Sequence, residues 1–223
     1  GSVVAYGASS LELKDRIEEI RLLTQLKDHL PTENLVLYLQ PIVRVQGSER
    51  QLCAEALIRM KDVDGTLMHP AQFVNAAERN GVMSIVDRWV LDQAIAWIER
   101  VVPRDVNLQW LSVNFSATSL NDERFIDYVM KTLAEHPQAT RRLCIEITES
   151  VALIDLAHSR RVLEGFMALG ARIALDDFGA GYTSFKYLTQ LPASIIKIDG
   201  EFIRDLGVRP ENLATHHASR SWR

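Results

Sequence analysis

The chain has 223 residues, 47% hydrophobic and 24% charged, which is enough to bury a large core without disulfides. Its apolar runs fall well short of the roughly 20 residues that a membrane-spanning helix requires, so we expect no membrane span. The formal net charge of −4 argues against binding to nucleic acid polymers, which takes a basic surface. Cys53 and Cys144 fit no metal-binding spacing, so we expect buried thiols in a reducing, cytoplasmic setting.

The first half of the chain predicts a helix, a β-hairpin and two more helices, after a tag or linker at residues 1–10. In chain order these elements are expected at 11–30, 35–45, 51–60, 70–79 and 84–100. Apolar residues at steps of three and four indicate the first helix, which Pro31 ends. A short link containing Gly47 joins the two β-rich runs, and such links favour an antiparallel hairpin. The Asn80-Gly81 turn separates the two later helices.

After Pro103 strands and helices alternate, which is typical of an α/β fold with a parallel sheet. Strands are expected at 108–115, 143–148, 172–175 and 194–198, and helices at 122–135, 156–169 and 183–188. With the hairpin this makes six strands, and we expect a (β/α)8 barrel that lacks its last two β/α units. The barrel domain is expected to span residues 31–214, with an unstructured tail at 215–223.

Polar residues interrupt five of these strands where an apolar residue would be expected. They are Glu55, Asn114, Glu146, Asp176 and Lys197. Because side chains two apart on a strand share a face, each of them is predicted to point into the barrel while its apolar neighbours point at the helices. Barrel enzymes place their chemistry at the carboxyl ends of the strands, so the pattern predicts a functional site there.

The residue types in this set indicate a hard divalent cation. Several carboxylates share a pocket only with a counter-charge, and Lys197 supplies one positive charge. Oxygen ligands favour Mg²⁺ or Mn²⁺, and no histidine pattern suggests zinc. A cluster this acidic can hold one or two ions for an in-line displacement at phosphorus, with Asp176 as a bridge and Asp177 directed at the second ion. Arg59, on the same strand face as Glu55, is a natural phosphate clamp.

Six short motifs occur in a fixed order along the chain. They are Tyr38-Leu39-Gln40-Pro41-Ile42-Val43, Glu55-Ala56-Leu57-Ile58-Arg59, Ser112-Val113-Asn114-Phe115-Ser116, Glu146-Ile147-Thr148-Glu149, Asp176-Asp177-Phe178-Gly179-Ala180-Gly181-Tyr182 and Lys197-Ile198-Asp199. In this order the motifs resemble the EAL-domain family of cyclic di-GMP phosphodiesterases, over residues 35–213. The resemblance implies a modified TIM barrel whose first strand is antiparallel.

The resemblance also implies roles for individual residues. The implied ligands for Mg²⁺ or Mn²⁺ are Glu55, Asn114, Glu146, Asp176 and Asp177. The implied contacts with cyclic di-GMP are Gln40, Arg59 and Asp177. Lys197 would hold or polarise the attacking water, and Glu149 would steady the loop after Asp176-Asp177 and couple the site to dimerisation. The implied reaction opens one phosphodiester of cyclic di-GMP to give linear pGpG.

The implied partners are a second copy in a homodimer and a sensory or GGDEF domain fused in the parent protein. Family members carry a general-base Glu motif and a Gln-Gly motif farther on, and neither occurs in this sequence. A non-catalytic module that binds cyclic di-GMP or a protein partner therefore stays open as the alternative. A metal barrel of the enolase type is a third reading, but it expects a large capping domain where only about 34 residues precede the first strand.

Overall fold

The structure is a computed structural model that describes residues 33–43, 51–62, 64–104, 107–148, 155–178 and 190–200. Six strands of this part form one sheet in chain order. They are β1 (Leu35–Ile42), β2 (Leu52–Met60), β3 (Leu108–Asn114), β4 (Leu143–Thr148), β5 (Arg172–Phe178) and β6 (Ile195–Ile198). The described helices are α1 (Pro70–Arg79), α2 (Met83–Val101), α3 (Ala117–Leu120), α4 (Glu123–Glu135), α5 (Pro137–Thr140) and α6 (Leu156–Ala168), with a 3-10 turn at Val102–Arg104.

The first strand of the sheet is reversed relative to the others. β1 pairs antiparallel with β2, with Leu35 opposite Met60 and Ile42 opposite Cys53, whereas every later pair of neighbours is parallel. Parallel neighbours require a crossover, and helices supply it between β2 and β3, between β3 and β4, and between β4 and β5. The predicted α/β fold of the modified TIM-barrel type, with an antiparallel first strand, is confirmed.

The main hydrophobic core lies between the helices and one face of the sheet. Alternate strand residues such as Leu111, Ile145 and Ile173 are completely buried in it. Helices α2, α4 and α6 supply the facing side chains, and Phe115 packs edge-on against Phe125 with ring centroids 5.0 Å apart. Each large apolar side chain buried in this way stabilises the fold by about 1.5–3 kcal/mol. Because the apolar residues occupy this face, the other face is left for the polar ones.

Capping side chains explain where two of the helices begin. Asp122 accepts a hydrogen bond from the N–H of Arg124 at the start of α4, and Asp155 accepts one from the N–H of His158 at the start of α6. Gly170, with a φ of +105°, follows the end of α6, where a left-handed residue commonly ends a helix. The predicted bounds of both helices therefore hold to within one residue. Among the described helices, none combines the length and apolar character that a membrane crossing takes.

Two features of the described elements differ from the prediction. The predicted end of the fifth strand at Leu175 is wrong, because β5 continues to Phe178 and contains Asp176 and Asp177. The register with β6 shifts between Leu175 and Phe178, and Asp177 takes a φ of +55°, so the two aspartates lie at a bulge within the strand. The sequence does not predict the one-turn helices α3 and α5, since a single turn is too short to show a period.

Several predictions fall outside the described residues. They are the linker at 1–10, the helix at 11–30, the loop residue Glu149, the helix at 183–188 and the tail at 215–223. The bounds of the barrel domain, 31 and 214, stay predictions for the same reason.

Candidate functional site

The polar residues that were predicted to face the barrel interior meet around one lysine. The Lys197 Nζ donates hydrogen bonds to Glu146 Oε2 at 2.6 Å, Asp176 Oδ2 at 2.8 Å and Glu55 Oε2 at 3.1 Å. The Asn114 Nδ2 donates to the other carboxylate oxygen of Glu55 at 2.9 Å. Each of the five residues comes from a different strand, β2 to β6. We call Glu55, Glu146 and Asp176 the carboxylate cluster.

Strand register explains why these side chains meet. Asn114 lies beside Glu146 in the pairing of β3 with β4, and Asp176 lies beside Thr148 in the pairing of β4 with β5. Neighbours in register share a face of the sheet, and so do residues two apart on one strand. A slip of one residue in any strand would exchange its polar residue with the apolar ones that fill the core, so burial fixes the register strongly.

Burial and charge differ within the cluster. The side chain of Glu146 is 2% exposed, against 18% for Glu55 and 22% for Asp176. Burial raises the pKa of Glu146, and the hydrogen bond from Lys197 opposes this rise. Burial by itself lowers the pKa of Lys197, but its hydrogen bonds to Asp176 and Glu146 outweigh burial and hold that pKa above its ordinary value. Lys197 is therefore a stable cation, and a single ammonium faces three carboxyl groups.

The donor atoms of the cluster fit a hard divalent cation. One oxygen from each of Glu55, Glu146 and Asp176 lies within 4.8 Å of the other two. Carboxylate oxygens are the ligands that Mg²⁺ and Mn²⁺ prefer, and this group, drawn from the described residues, contains no thiolate or imidazole. Asn114 stands beside Glu55, to which its Nδ2 donates a hydrogen bond, and its side-chain amide also carries an oxygen of the kind that these cations accept. The cluster and Asn114 together can therefore hold such a cation.

Asp177 lies at the bulge of β5, next to the cluster. Its backbone is left-handed, which is uncommon for a residue other than glycine, and its N–H donates to Asp176 Oδ1 at 2.9 Å. Burial raises the pKa of Asp177, and the negative charges of Asp176 and Asp199 raise it further. Extra positive charge beside Asp177 would therefore be favourable. Its role at a second ion stays a prediction.

Gln40 and Arg59 lie on the face of the sheet that carries the cluster. Gln40 is the register partner of Glu55, and residues opposite each other in an antiparallel pair share a face. Arg59 follows Glu55 by four residues, so it shares that face as well. Its Nη1 donates to the carbonyl oxygen of Ile58 at 2.8 Å, and its guanidinium carbon lies 5.9 Å from the centre of the Tyr38 ring. A half-buried cation and an exposed aromatic ring therefore lie on the face that carries the cluster.

Sequence reasoning gave no role to Tyr38 and could not place it beside Arg59. The two residues are brought together by the pairing of β1 with β2, in which Tyr38 lies opposite Leu57. The only signal in the sequence is the alternation that puts Tyr38 on the same face as Gln40. Glu149 lies outside the described residues, so its predicted role stays a prediction.

Two curated relatives are similar in sequence to most of this chain. Cyclic di-GMP phosphodiesterase PdeB of Shewanella oneidensis is 35% identical over 185 residues, which are 81% of this chain and 21% of PdeB. The bifunctional diguanylate cyclase/cyclic di-GMP phosphodiesterase MucR of Pseudomonas aeruginosa is 36% identical over 190 residues, which are 85% of this chain and 27% of MucR. The chain thus spans about a fifth to a quarter of the length of these relatives.

A solved structure and a family model extend the comparison. The structure of the PaMucR phosphodiesterase in complex with c-di-GMP matches with a TM-score of 0.76 and 34% identity, over 87% of this chain and 78% of that chain. The family model described as the EAL domain matches residues 23–219, a range that contains all six described strands and every residue of the cluster. The chain therefore belongs to the EAL domain family.

Proposed function

We propose that this domain hydrolyses cyclic di-GMP to linear pGpG with the help of a divalent cation. The observation that carries the proposal is the carboxylate cluster, whose oxygens lie within 4.8 Å of one another, in a chain of the EAL domain family. PdeB and MucR, two relatives of this chain, are named as phosphodiesterases of cyclic di-GMP, and the PaMucR structure is a complex with c-di-GMP. From this similarity we infer that this chain cleaves the same class of substrate.

In this proposal Glu55, Asn114, Glu146 and Asp176 hold Mg²⁺ or Mn²⁺. A bound ion of this kind supplies Lewis-acid stabilisation of the phosphate oxygens and a water of lowered pKa. The chain's own contribution is to hold the oxygen ligands in place on separate strands, with Glu146 almost fully buried. Asp177, beside Asp176 at the bulge, would take part if a second ion binds.

Lys197 is the proposed catalytic cation. The cluster keeps the ammonium of Lys197 charged and accepts all three of its hydrogen bonds. When one of these carboxylates binds a cation instead, the lysine would regain one N–H, which would then hold the attacking water or a phosphate oxygen. It also compensates part of the negative charge of the cluster before any ligand binds. Glu149 is proposed to steady the loop that follows Asp176-Asp177 and so to link the site to a homodimer.

The remaining proposals concern the setting of the domain. Gln40 and Arg59, on the face of the cluster, would contact the nucleotide, Arg59 by pairing with a phosphate. The name of MucR joins a diguanylate cyclase to a phosphodiesterase, which supports a fused GGDEF or sensory domain in the parent protein. A homodimer and a cytoplasmic location complete the proposal.

The proposed function is tested by product analysis with the full chain. Incubation with cyclic di-GMP and Mn²⁺ or Mg²⁺ is expected to yield pGpG, seen by liquid chromatography, and EDTA should stop its formation. Calorimetry on the same samples measures binding, with cyclic di-AMP as the control nucleotide. Binding without pGpG would contradict the proposed hydrolysis and favour the non-catalytic module. Absence of cyclic di-GMP binding would contradict both hydrolysis and nucleotide binding, and would favour a module that binds a protein partner.

Arg59→Ala should weaken the binding of cyclic di-GMP about 10-fold to 100-fold, because a hydrogen bond between charged groups contributes about 1.5–3 kcal/mol. Calorimetry measures the affinity for cyclic di-GMP. The affinity for Mn²⁺ should stay unchanged in this variant. Arg160→Ala is the matched control, since Arg160 pairs with Glu164 on the surface of α6 at 2.7 Å. Equal nucleotide affinities for the two variants would show that Arg59 is no phosphate clamp.

A further inference from the structure

A buried carboxylate of α2 lies outside the cluster and has no part in the chemistry proposed above. Asp87 is only 3% exposed. Its Oδ2 accepts a hydrogen bond from the backbone N–H of Ser116 at 2.9 Å and another from the Ser119 hydroxyl at 2.6 Å. Ser116 is the second residue after Asn114, so Asp87 holds the turn in which β3 ends.

Phe115, the residue between Asn114 and Ser116, is held by other elements of the fold. The N–H of Phe115 donates to the carbonyl oxygen of Glu146 at 2.9 Å, and its ring packs against α4 and α6. The two residues that follow Asn114 are therefore fixed by different elements, one by β4 and one by α2. Since the amide of Asn114 reaches Glu55 directly, a shift of this turn would move Asn114 relative to the cluster.

Holding a charge at this position costs stability. Burial raises the pKa of Asp87 from 3.8 to about 6, against the opposing effect of the hydrogen bonds from Ser119 and Ser116. Between these two values the folded chain binds a proton that the unfolded chain releases, so stability falls as the pH rises through about 6. Asp87 thus keeps a buried carboxyl group in place at some cost to folding stability.

We propose that Asp87 is a positioning residue, which fixes Asn114 for cation binding by anchoring the turn after β3 from helix α2. The inference rests on the proposed function, because it takes Asn114 as a ligand. Partners that orient metal ligands typically change metal affinity by about 10-fold to 100-fold when they are removed. An asparagine at position 87 would keep an oxygen acceptor for these hydrogen bonds. An alanine would remove the acceptor of the Ser116 N–H and of the Ser119 hydroxyl.

The test compares Asp87→Ala with Asp87→Asn in the full chain by two measurements. Calorimetry gives the Mn²⁺ affinity, and NMR gives the side-chain amide signals of Asn114, assigned by their loss in Asn114→Ser. We expect Asp87→Ala to lower Mn²⁺ affinity about 10-fold or more and to shift the Asn114 signals. Asp87→Asn should keep both close to those of the unchanged chain. Should Asp87→Ala fail to fold, Ser119→Ala removes one of the two hydrogen bonds and should shift the same signals less.

Thr140→Ala is the matched control for a general loss of stability. Thr140 is fully buried ahead of β4, and its hydroxyl donates to the carbonyl oxygens of Leu133 and His136 at 2.9 and 3.0 Å. This variant should leave both measurements unchanged. Unshifted Asn114 signals in Asp87→Ala, or an equal shift in Thr140→Ala, would overturn the proposal. A chain that binds no Mn²⁺ would contradict the proposed function, while the Asn114 signals would still decide the role of Asp87.

Discussion

Asp176→Ala should lower the rate of pGpG formation by at least about 100-fold, as expected for a group that stabilises developing charge. The substitution removes one of the three oxygens that lie within 4.8 Å of one another and leaves Lys197 with two carboxylate partners. Glu55→Ala removes another of these oxygens and should have an effect of the same size. The initial rate at saturating Mn²⁺ is the measurement, and Mn²⁺ affinity on the same variants tests the ligand role independently of turnover.

Asp155→Ala provides the control for the loss of an aspartate. Asp155 caps α6 by accepting a hydrogen bond from the N–H of His158 at 2.9 Å. Its removal should cost about 1 kcal/mol of folding stability and leave both Mn²⁺ affinity and rate unchanged. If Asp176→Ala retained the rate and the affinity of this control, the assignment of Asp176 as a ligand would be wrong.

Lys197→Met should destabilise the metal-free chain by about 2 kcal/mol. Removal of one partner of a fully buried ion pair costs about 3–5 kcal/mol, and the effect is smaller here because Lys197 and two of its partners are partly exposed. The remaining carboxylates would repel one another without a nearby ammonium. Mn²⁺ should therefore raise the free energy of unfolding more in this variant than in the unchanged chain. Urea denaturation with EDTA and with Mn²⁺ measures both effects.

Lys131→Met is the matched control, because it makes the same substitution at a lysine on the surface. The side chain of Lys131 is 72% exposed and its Nζ lies 3.8 Å from Glu135 Oε1, one turn along α4. Such a pair contributes about 0.3–0.5 kcal/mol, so the variant should be nearly as stable as the unchanged chain, with or without Mn²⁺. Equal stabilities of Lys131→Met and Lys197→Met in EDTA would contradict the view that Lys197 compensates the cluster.

Alternation along single strands predicts much of the fold and of the site. Glu55, Asn114 and Glu146 each stand between apolar residues, so their direction into the barrel follows from local pattern alone. The strand order then follows from the hairpin and from the repeated strand–helix alternation. These inferences succeed because they need only the period of a strand and the rule that parallel neighbours require crossovers.

Contacts between distant residues are what the sequence does not predict. The hydrogen bond between Asp87 and Ser116 joins residues 29 positions apart, and in the sequence Asp87 reads as an ordinary polar position of a helix. The bulge of β5 depends on its register with β6, so no local feature of the sequence predicts the left-handed backbone of Asp177. The three hydrogen bonds of Lys197 span 142, 51 and 21 positions, and only the assembly of β2 to β6 into one sheet brings the three carboxylates to one atom.

The reversal of β1 decides at which end of the barrel the polypeptide enters. Leu35, where β1 begins, lies opposite Met60, where β2 finishes, and the carbonyl oxygen of Asn34 accepts a hydrogen bond from the N–H of Lys61 at 2.8 Å. In a barrel of uniformly parallel strands the incoming chain would arrive at the far end, away from the chemistry. Here any segment that precedes Leu35 attaches at the end of the sheet where β2 finishes, which is the end that barrel enzymes use for their chemistry.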